Sequence, residues 1–478
     1  MDSEKCFCHL NGYAVKDATA RKLINKRTAI TPFEFGAVGD GLADDSAAFG
    51  ECFANGGTIY IPEGNYLIRG TVTIPDGTKV TCDGWIIRDP SDTKTLFEVG
   101  NDCEISLNIN GMDPKCSARH IDGLYDIYAN AKENVKFLNC KIKDSFSNCS
   151  ILARGSKNIV FSGCYVNGYN YGALAAGYGS SQVSFINNRV IDGRGTYAAN
   201  RYPISISWGT SKAYPPTVDA ICTGNYIEDV TPYWEGIDAH GLINGVIANN
   251  IIKNVKVGIS AFGETNKYKC ENVTICDNII YTGEQAGTSG IECVRSTNCI
   301  IANNTVHNAE NGIRIHTVVD MVVSGNVLNG TGTGDGISTG AVSDNYTERL
   351  RIFGNNIKNY QYGVNIEACF NSLTKYVDID IRNNVFKSCE IAINDAKKWA
   401  AFNYMKAIYV GENIYQDVTS RYGNFGYGII LGVSSSAPNN YGREGMIVYS
   451  MGDLPDVSHW YCRQGGTEEG PPTWIAVK

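Results

Sequence analysis

Acidic, basic and histidine side chains recur at fixed positions of a short phrase that repeats in the middle of the chain. The phrase is Gly, then Ile or Val, then a variable residue, and its copies begin at Gly236, Gly258, Gly290, Gly312, Gly336 and Gly363. The variable residue two places after each Gly is, in order, Asp238, Ser260, Glu292, Arg314, Ser338 and Asn365. A period of two predicts β-strands whose variable residue faces outward, so these side chains form one column.

Asp238 and Glu292 stand two copies apart in this column, which suits a pair of catalytic carboxylates. If each copy is one layer of a stack with a rise of ~4.8 Å, the two backbones are about 9–10 Å apart. Carboxyl groups about 6.5–9.5 Å apart act as acid and base in inverting glycoside hydrolysis. His240 follows on the same strand face as Asp238 and can shuttle a proton. We predict Asp238, Glu292, His240 and the nearby Glu235 as catalytic residues.

A second set of side chains around these four suits the binding of sugars. Arg314 can hold Glu292 ionised or neutralise an acidic sugar, and aromatic rings offer flat surfaces to sugar rings. The predicted substrate-binding residues are Arg314, His316, Trp208, Trp234, Phe262, Arg295 and Glu367. All of these residues also have a structural interpretation, because outward charges on stacked strands are often solvated or paired for only ~0–1 kcal/mol.

The strands that position these residues belong to a repeat that runs through most of the chain. A second phrase, apolar-x-apolar followed closely by Asn, alternates with the Gly phrase. Its copies are Asn225, Asn250, Asn278, Asn304, Asn326, Asn356 and Asn384, at intervals of 22–30 residues, and Cys140, Cys164 and Asn188 occupy the same position earlier. Such Asn residues fit turns, because they tolerate left-handed backbone and can hydrogen-bond the Asn of the next coil.

Short strands at this period predict an all-β protein with the parallel β-helix (solenoid) fold. A single coil cannot bury its own apolar face, whereas stacked coils bury it continuously. A β-propeller blade needs ~40–45 residues and a leucine-rich repeat needs a regular Leu pattern, so the sequence disfavours both.

Composition excludes several classes of protein. The 478 residues carry a net charge of −8 and 43% are hydrophobic, which argues against a nucleic-acid surface and against intrinsic disorder. No run approaches ~18 apolar residues, so no membrane span is expected, and no secretory signal is visible. The 17 cysteines are expected to be reduced core thiols. We expect no metal and no cofactor, and a calcium site stays open without a dense acidic loop to support it.

Residues 35–49 resemble the opening signature of the pectate-lyase-like β-helix superfamily, and residues 56–66 match the strand and turn that follow it. That superfamily includes phage tailspikes and polygalacturonase-like enzymes. The resemblance implies a right-handed parallel β-helix with an N-terminal capping helix. Asp44 and Asp45 agree with it, since they stand where the N-cap and first turn of a short helix would lie.

Residues 10–21 resemble the leader of phage and prophage tail-associated proteins. The resemblance implies attachment to a phage tail or baseplate, a location in the virion and action outside the cell, and the tailspikes imply a homotrimer. The predicted organisation is an attachment segment at 1–30, a β-helix with a glycan-binding groove at 31–400, and a β-rich region at 401–478. This last region would cap the stack or mediate oligomer contacts.

Residues 235–241 loosely resemble the acidic and His-Gly segments of polygalacturonase-like enzymes. The chain departs from that pattern, because no Asp-Asp pair lies one coil earlier and no Arg-x-Lys follows one coil later. The sequence favours a depolymerase that hydrolyses a polysaccharide. Two alternatives stay open: a polysaccharide lyase that uses Arg314 with His240 or His316, and a spike that binds a surface glycan without cleaving it.

Overall fold

The computed structural model describes most of the middle of the chain and parts of its ends. The described residues are 8–10, 13–15, 29–116, 123–194, 201–207, 215–230, 234–264, 268–340, 347–367, 376–395, 405–423, 430–431, 447–449, 459–464 and 473–477. The chain divides into two compact units, Met1–Ile237 and Asp238–Lys478.

Each unit is a parallel β-helix, as predicted. A rung contributes one strand to each of three ladders, and each strand pairs in parallel with its equivalent one rung away. In one such ladder Ile142 lies opposite Val166, which lies opposite Val190, and all three are buried. Branched apolar side chains therefore fill the interior, while the alternating residues face outward.

The strands of the first unit are as follows. The first ladder comprises Val72–Ile74, Phe97–Val99, Tyr125–Asn130, Cys149–Arg154, Gly172–Gly177 and Tyr202–Ser207. The second comprises Thr58–Ile61, Lys79–Cys82, Glu104–Ile105, Glu133–Leu138, Lys157–Ser162, Ser181–Ile186 and Val218–Thr223. The third comprises Asp40–Asp44, Asn65–Ile68, Trp85–Arg88, Asn108–Asn110, Lys141–Lys143, Tyr165–Tyr169, Arg189–Gly193 and Tyr226–Glu228.

The second unit continues the same pattern, and the boundary between the units falls within Glu235–His240. The first ladder comprises Glu235–His240, Val257–Phe262, Asp335–Gly340, Tyr362–Ile366, Ile391–Asp395 and Ser420–Gly423. Two long strands, Ser289–Ala302 and Asn311–Ser324, run through both the first and the second ladder. The second ladder also holds Ile243–Ala248, Cys270–Cys276, Glu348–Phe353, Tyr376–Arg382, Met405–Val410 and Ile430–Leu431. The third comprises Ile251–Val255, Ile279–Thr282, Thr305–Ala309, Val327–Gly330, Asn356–Lys358, Val385–Lys387 and Ile414–Gln416.

The predicted N-terminal helix spans Ser46–Ala54 and covers the apolar interior. Its Phe49 packs 5.2 Å from the Tyr66 ring, and its Phe53 packs 6.0 Å from the Phe97 ring, both measured between ring centroids. Asp45 is the N-cap residue, but its carboxylate accepts hydrogen bonds from the Val38 and Gly39 amides of the preceding turn instead of from the helix. A short 3-10 helix, Pro32–Phe35, comes just before this turn.

A ladder of buried asparagine amides holds the rungs of the second unit in register. Each Nδ2 donates to the Oδ1 of the Asn one rung on, at 2.9–3.1 Å, from Asn278 through Asn304, Asn326, Asn355 and Asn384 to Asn413. Asn250 donates to Asn278 in the same way, and Asn188 donates to Asn225 in the first unit.

Two details of the predicted Asn repeat are wrong. The ladder passes through Asn355, whereas Asn356 begins an outer strand and is exposed. The ladder residues do not adopt the left-handed backbone themselves. From Asn250 to Asn384 the residue before each ladder Asn does, as at Asn249, Asp277 and Asn303, which have φ of 56–57°. Two adjacent residues of the turn therefore share the roles that were predicted for one Asn: the first adopts the left-handed backbone, and the second makes the hydrogen bonds between rungs.

The cysteines at the earlier Asn positions form a stacked pair of core thiols, as predicted. Cys140 and Cys164 are both fully buried. Contact with Cys164, together with burial, raises the pKa of the Cys140 thiol well above its usual value. A buried protonated thiol is inert as a nucleophile, which supports a packing role for this pair.

The two ends of the chain differ in part from the predicted organisation. Near the start, Cys8–Leu10 pairs antiparallel with Tyr13–Val15 and Ile30 forms an isolated parallel bridge with Ile59, while most of the attachment segment lies outside the described residues. Solenoid strands continue past residue 400, since Met405–Val410 pairs in parallel with Tyr376–Arg382. The predicted boundary at 400 is therefore too early. Farther on, three antiparallel strands form a separate sheet: Ile447–Tyr449, His459–Gln464 and Thr473–Val477. None of the described helices has the length and hydrophobicity that a bilayer crossing requires.

Substitution of Asn355 by Ala should destabilise the protein by about 3 kcal/mol, because it leaves several buried donors and acceptors without partners. The Asn355 side chain bonds the Val323 and Phe353 carbonyls and both neighbouring ladder amides. Urea unfolding of Asn355→Ala measures the loss. Asn356→Ala is the matched control, and an equal loss in both variants would contradict the ladder's role.

Candidate functional site

The strand register of the second unit aligns the predicted column as expected. Ser260 lies opposite Glu292, and Glu292 lies opposite Arg314. The column continues through Ser338 to Asn365. The strand that carries Asp238 and His240 pairs with the strand of Ser260. Asp238 is thus two rungs from Glu292, so their backbones are about 9–10 Å apart.

Asp238 and His240 form a close pair on their shared strand. Asp238 Oδ1 lies 2.7 Å from His240 Nδ1, and the Asp238 side chain is buried while that of His240 is partly exposed. The imidazole and the Phe262 ring meet edge to face, with 5.3 Å between their centroids. On its other side, His240 Nε2 lies 3.9 Å from Glu264 Oε1. A buried carboxylate this close to Nδ1 stabilises the positive charge that develops when Nε2 takes up a proton.

Glu292 is the more accessible of the two predicted catalytic carboxylates. Its Oε1 lies 3.5 Å from Arg314 Nη1, and the side chains are 17% and 46% exposed. A pair of this length and exposure is weak. The carboxylate therefore stays available to water or substrate, with a positive charge one rung away.

His316 lies on the same strand as Arg314 and is almost fully buried. Burial, and then the nearby Arg314 charge, lower its pKa to about 4, so the imidazole is neutral at pH 7. Its Nε2 lies 3.8 Å from Glu367 Oε2. Gly340 leaves space between these two groups, because a Cβ there would come within 3.2 Å of Glu367 Oε2 and 3.4 Å of His316 Nε2.

Asp335, which its sequence position did not single out, is a buried carboxyl at the start of the strand Asp335–Gly340. Asn365 Nδ2 donates to its Oδ2 at 2.9 Å. Burial above all, with Glu367 and Glu310 adding to it, raises its pKa to about 6 in spite of the Asn365 hydrogen bond and the Arg314 charge. A signal was present, because Asp335 precedes the Gly of its phrase just as Glu235 does.

The remaining predicted residues fall in different places. Arg295 has left-handed backbone, donates to the Gly263 carbonyl at 3.0 Å, and holds its guanidinium 5.6 Å from the centroid of the Phe262 ring. Glu235 and Trp234 belong to the first unit, where Glu235 is buried and Trp234 half-buried. Trp208 lies outside the described residues. In the part of the chain that the structure describes, no three His, Cys, Asp or Glu side chains group closely enough to hold a metal ion.

Known proteins that resemble this chain in sequence or structure include β-helix proteins, in agreement with the fold described above. Residues 105–275 match the family model of the right handed β helix region. A probable endopolygalacturonase E of Aspergillus niger is 28% identical over 135 residues, which make up 28% of this chain and 35% of that relative. The matched segment therefore spans about a third of the length of this curated relative.

Two solved phage structures share the architecture over most of the chain. The N-terminal fragment of bacteriophage Phi29 gene product 12 has a TM-score of 0.61 at 15% identity, and the match covers 87% of this chain and 76% of that chain. Tailspike protein 3 of bacteriophage CBA120 has a TM-score of 0.52 at 12% identity, with 98% and 71% covered. At these identities the likeness shows the fold alone.

Asp335 and His316 should make the stability of the protein depend on pH in opposite directions, because the fold raises the pKa of Asp335 and lowers that of His316. Asp335 holds its proton up to about pH 6 in the fold but only to ~3.9 when unfolded, so its burial lowers stability as pH rises through that window. His316 loses its proton near pH 4 in the fold but near ~6.5 when unfolded, so its contribution raises stability as pH rises. Each effect amounts to about 3 kcal/mol and the two largely cancel between pH 4 and 6.

Single substitutions separate these two contributions. Relative to the unchanged protein, Asp335→Asn should make the stability rise more steeply between pH 4 and 6.5, and His316→Asn should make it fall. Urea midpoints across that range measure both slopes. Slopes that change in the same direction in the two variants would contradict the assigned protonation states.

Proposed function

We propose that this protein is a depolymerase that hydrolyses a polysaccharide at the column of Asp238, His240 and Glu292. The observation that carries the proposal is the pairing of a buried Asp238 with His240 two rungs from an accessible Glu292. Asp238 and Glu292 are two rungs apart and His240 is two residues from Asp238 on the same strand face, so the side chains of acid and base stand far enough apart to admit a sugar and a water. The sequence similarity to an endopolygalacturonase supports polysaccharide as the substrate class.

In this mechanism Glu292 is the base and the Asp238–His240 pair is the acid. Glu292 removes a proton from water, and the hydroxyl oxygen attacks the anomeric carbon as the glycosidic bond breaks. His240, held by Asp238, delivers its proton to the leaving oxygen. Arg314, which lies opposite Glu292 one rung away, binds negative charge on the substrate. Arg295 and Phe262 shape the neighbouring subsite, and Glu367 and His316 border it on later rungs.

Elimination is the second candidate, and a specific observation favours it. His316 is a neutral imidazole on the same strand face as the Arg314 guanidinium. A lyase needs a neutral base for the proton beside a uronic carboxylate, and a cation to neutralise that carboxylate. The base takes the proton, the bond between the ring carbon and the glycosidic oxygen breaks, a double bond forms between the two ring carbons, and the leaving oxygen takes up a proton from water.

The proposed biological setting is a phage or prophage tailspike that acts outside the cell. The fold shared with two phage proteins and the leader-like residues 10–21 support this setting. In it the chain is a homotrimer, residues 1–30 attach it to a tail or baseplate, and residues 401–478 contribute to capping and oligomer contacts.

Replacement of Glu292 by Gln should slow glycan cleavage by about 10²–10⁴-fold, because the amide cannot accept the proton of water. The assay follows chain shortening on acidic and neutral bacterial and plant polysaccharides. Glu271→Gln, on an exposed position of the same unit, is the matched control and should retain full activity. Products that each gain one water support hydrolysis, and products with new ultraviolet absorbance support elimination. Binding without shortening of any glycan would make the protein a spike and overturn the enzymatic proposal.

Asp238 and His240 should behave as one unit in a double-mutant cycle. Asp238→Asn and His240→Gln should each lower kcat by at least about 10²-fold, and the double variant should fall little further, since each change disables the same proton transfer. Losses that multiply in the double variant would show that the two residues act independently.

A further inference from the structure

The outward face of the third ladder in the first unit carries a line of cations and aromatic rings. Lys141, Tyr165, Arg189 and Tyr226 lie opposite one another on successive rungs. The inward residues beside them are buried, so these four side chains point to solvent. Lys141 and Arg189 are therefore about 10 Å apart along a rigid line.

Aromatic rings hold two of the cations in place. Arg189 lies over the Tyr226 ring at 4.6 Å, and Lys143 lies over the Trp85 ring at 4.5 Å, each measured to the ring centroid. Such contacts restrict long side chains that are otherwise mobile. The charges are thus positioned before any ligand arrives, which lowers the entropic cost of binding.

The three cations carry no carboxylate partner in the described part of the chain. No Asp or Glu oxygen there lies within ion-pair distance of Lys141, Lys143 or Arg189. The neighbouring acids are engaged elsewhere: Asp144 and Asp192 pair with Arg194, and Glu228 accepts a hydrogen bond from the Tyr226 hydroxyl. Unpaired cations in a line are unexpected in a chain whose net charge is −8.

We propose that this cationic strip (Trp85, Lys141, Lys143, Tyr165, Arg189 and Tyr226) binds a linear polysaccharide that bears carboxylate groups. Two cations on one rung and a third two rungs away suit a polymer that repeats its carboxylates along an extended chain, and the hydroxyl of Tyr165 can bond sugar hydroxyls between them. A single-stranded nucleic acid is disfavoured, because bases stack on open ring faces, whereas a cation lies over one face of Trp85 and another over one face of Tyr226. The strip is a binding surface, and every residue in it belongs to the first unit.

Native gels that contain polygalacturonate test the strip directly, with dextran as the neutral polymer. All arms carry Arg314→Gln, so the guanidinium of the candidate catalytic site does not contribute. The triple variant K141Q/K143Q/R189Q should bind polygalacturonate at least about tenfold more weakly, as expected for three exposed charge contacts. K79Q/K136Q/K157Q removes the same charge from exposed positions of the second ladder and should keep its affinity.

Three outcomes would overturn the proposal. They are no retardation of the parent by polygalacturonate, equal weakening in both triple variants, and retardation by oligothymidylate that is lost with the strip. The single variant K141Q changes an exposed lysine that makes no ring contact within the described residues, so it should fold normally. A partial loss of polygalacturonate affinity in K141Q would show that the loss in the triple variant is not caused by misfolding. The outcome does not depend on cleavage, so failure of the proposed enzyme activity leaves this test intact.

Discussion

Register between successive rungs is the constraint on which every site in this protein depends. A slip of one residue would turn the outward column inward and place charges in the apolar interior. The buried Asn amides oppose such a slip, because each Nδ2 and Oδ1 finds its partner only when the rungs align. Parallel strands alone provide evenly spaced hydrogen bonds that would tolerate several alignments. The amide ladder thus converts a generic stack into one with fixed columns.

Fixed columns explain how a solenoid can build chemistry from residues far apart in sequence. Glu292 and Arg314 are 22 residues apart and meet because they are one rung apart. The same rule builds the cationic strip, where residues from successive rungs share one line. Each rung adds one side chain to each column. The outward residues can therefore differ from rung to rung and form a site, while the inward residues remain apolar. The fold and its sites therefore vary independently.

Much of this arrangement could be predicted from the sequence, because both repeated phrases have physical causes. The Gly phrase gave the correct strand faces for Asp238, Glu292 and Arg314, since alternation directly reports which residues face outward. The Asn phrase correctly predicted the turns, but it assigned Asn356 to the ladder in place of Asn355. The sequence cannot distinguish two adjacent Asn residues, and only the hydrogen bonds in the structure show that Asn355 is the ladder residue. Burial was not visible in the sequence. It makes Asp238 a partner of His240 rather than an open carboxylate, and it raises the pKa of Asp335, which spacing alone did not single out.

The proposed hydrolysis requires that Glu292 and the Asp238–His240 pair add water across a glycosidic bond. Digestion in water enriched in heavy oxygen, followed by mass spectrometry of the products, tests this most directly. Hydrolysis should place one heavy oxygen at each newly formed reducing end, and the Glu292→Gln variant should give no such product. Shortened chains without heavy oxygen, carrying a double bond at the new end, would contradict hydrolysis and assign the site to elimination.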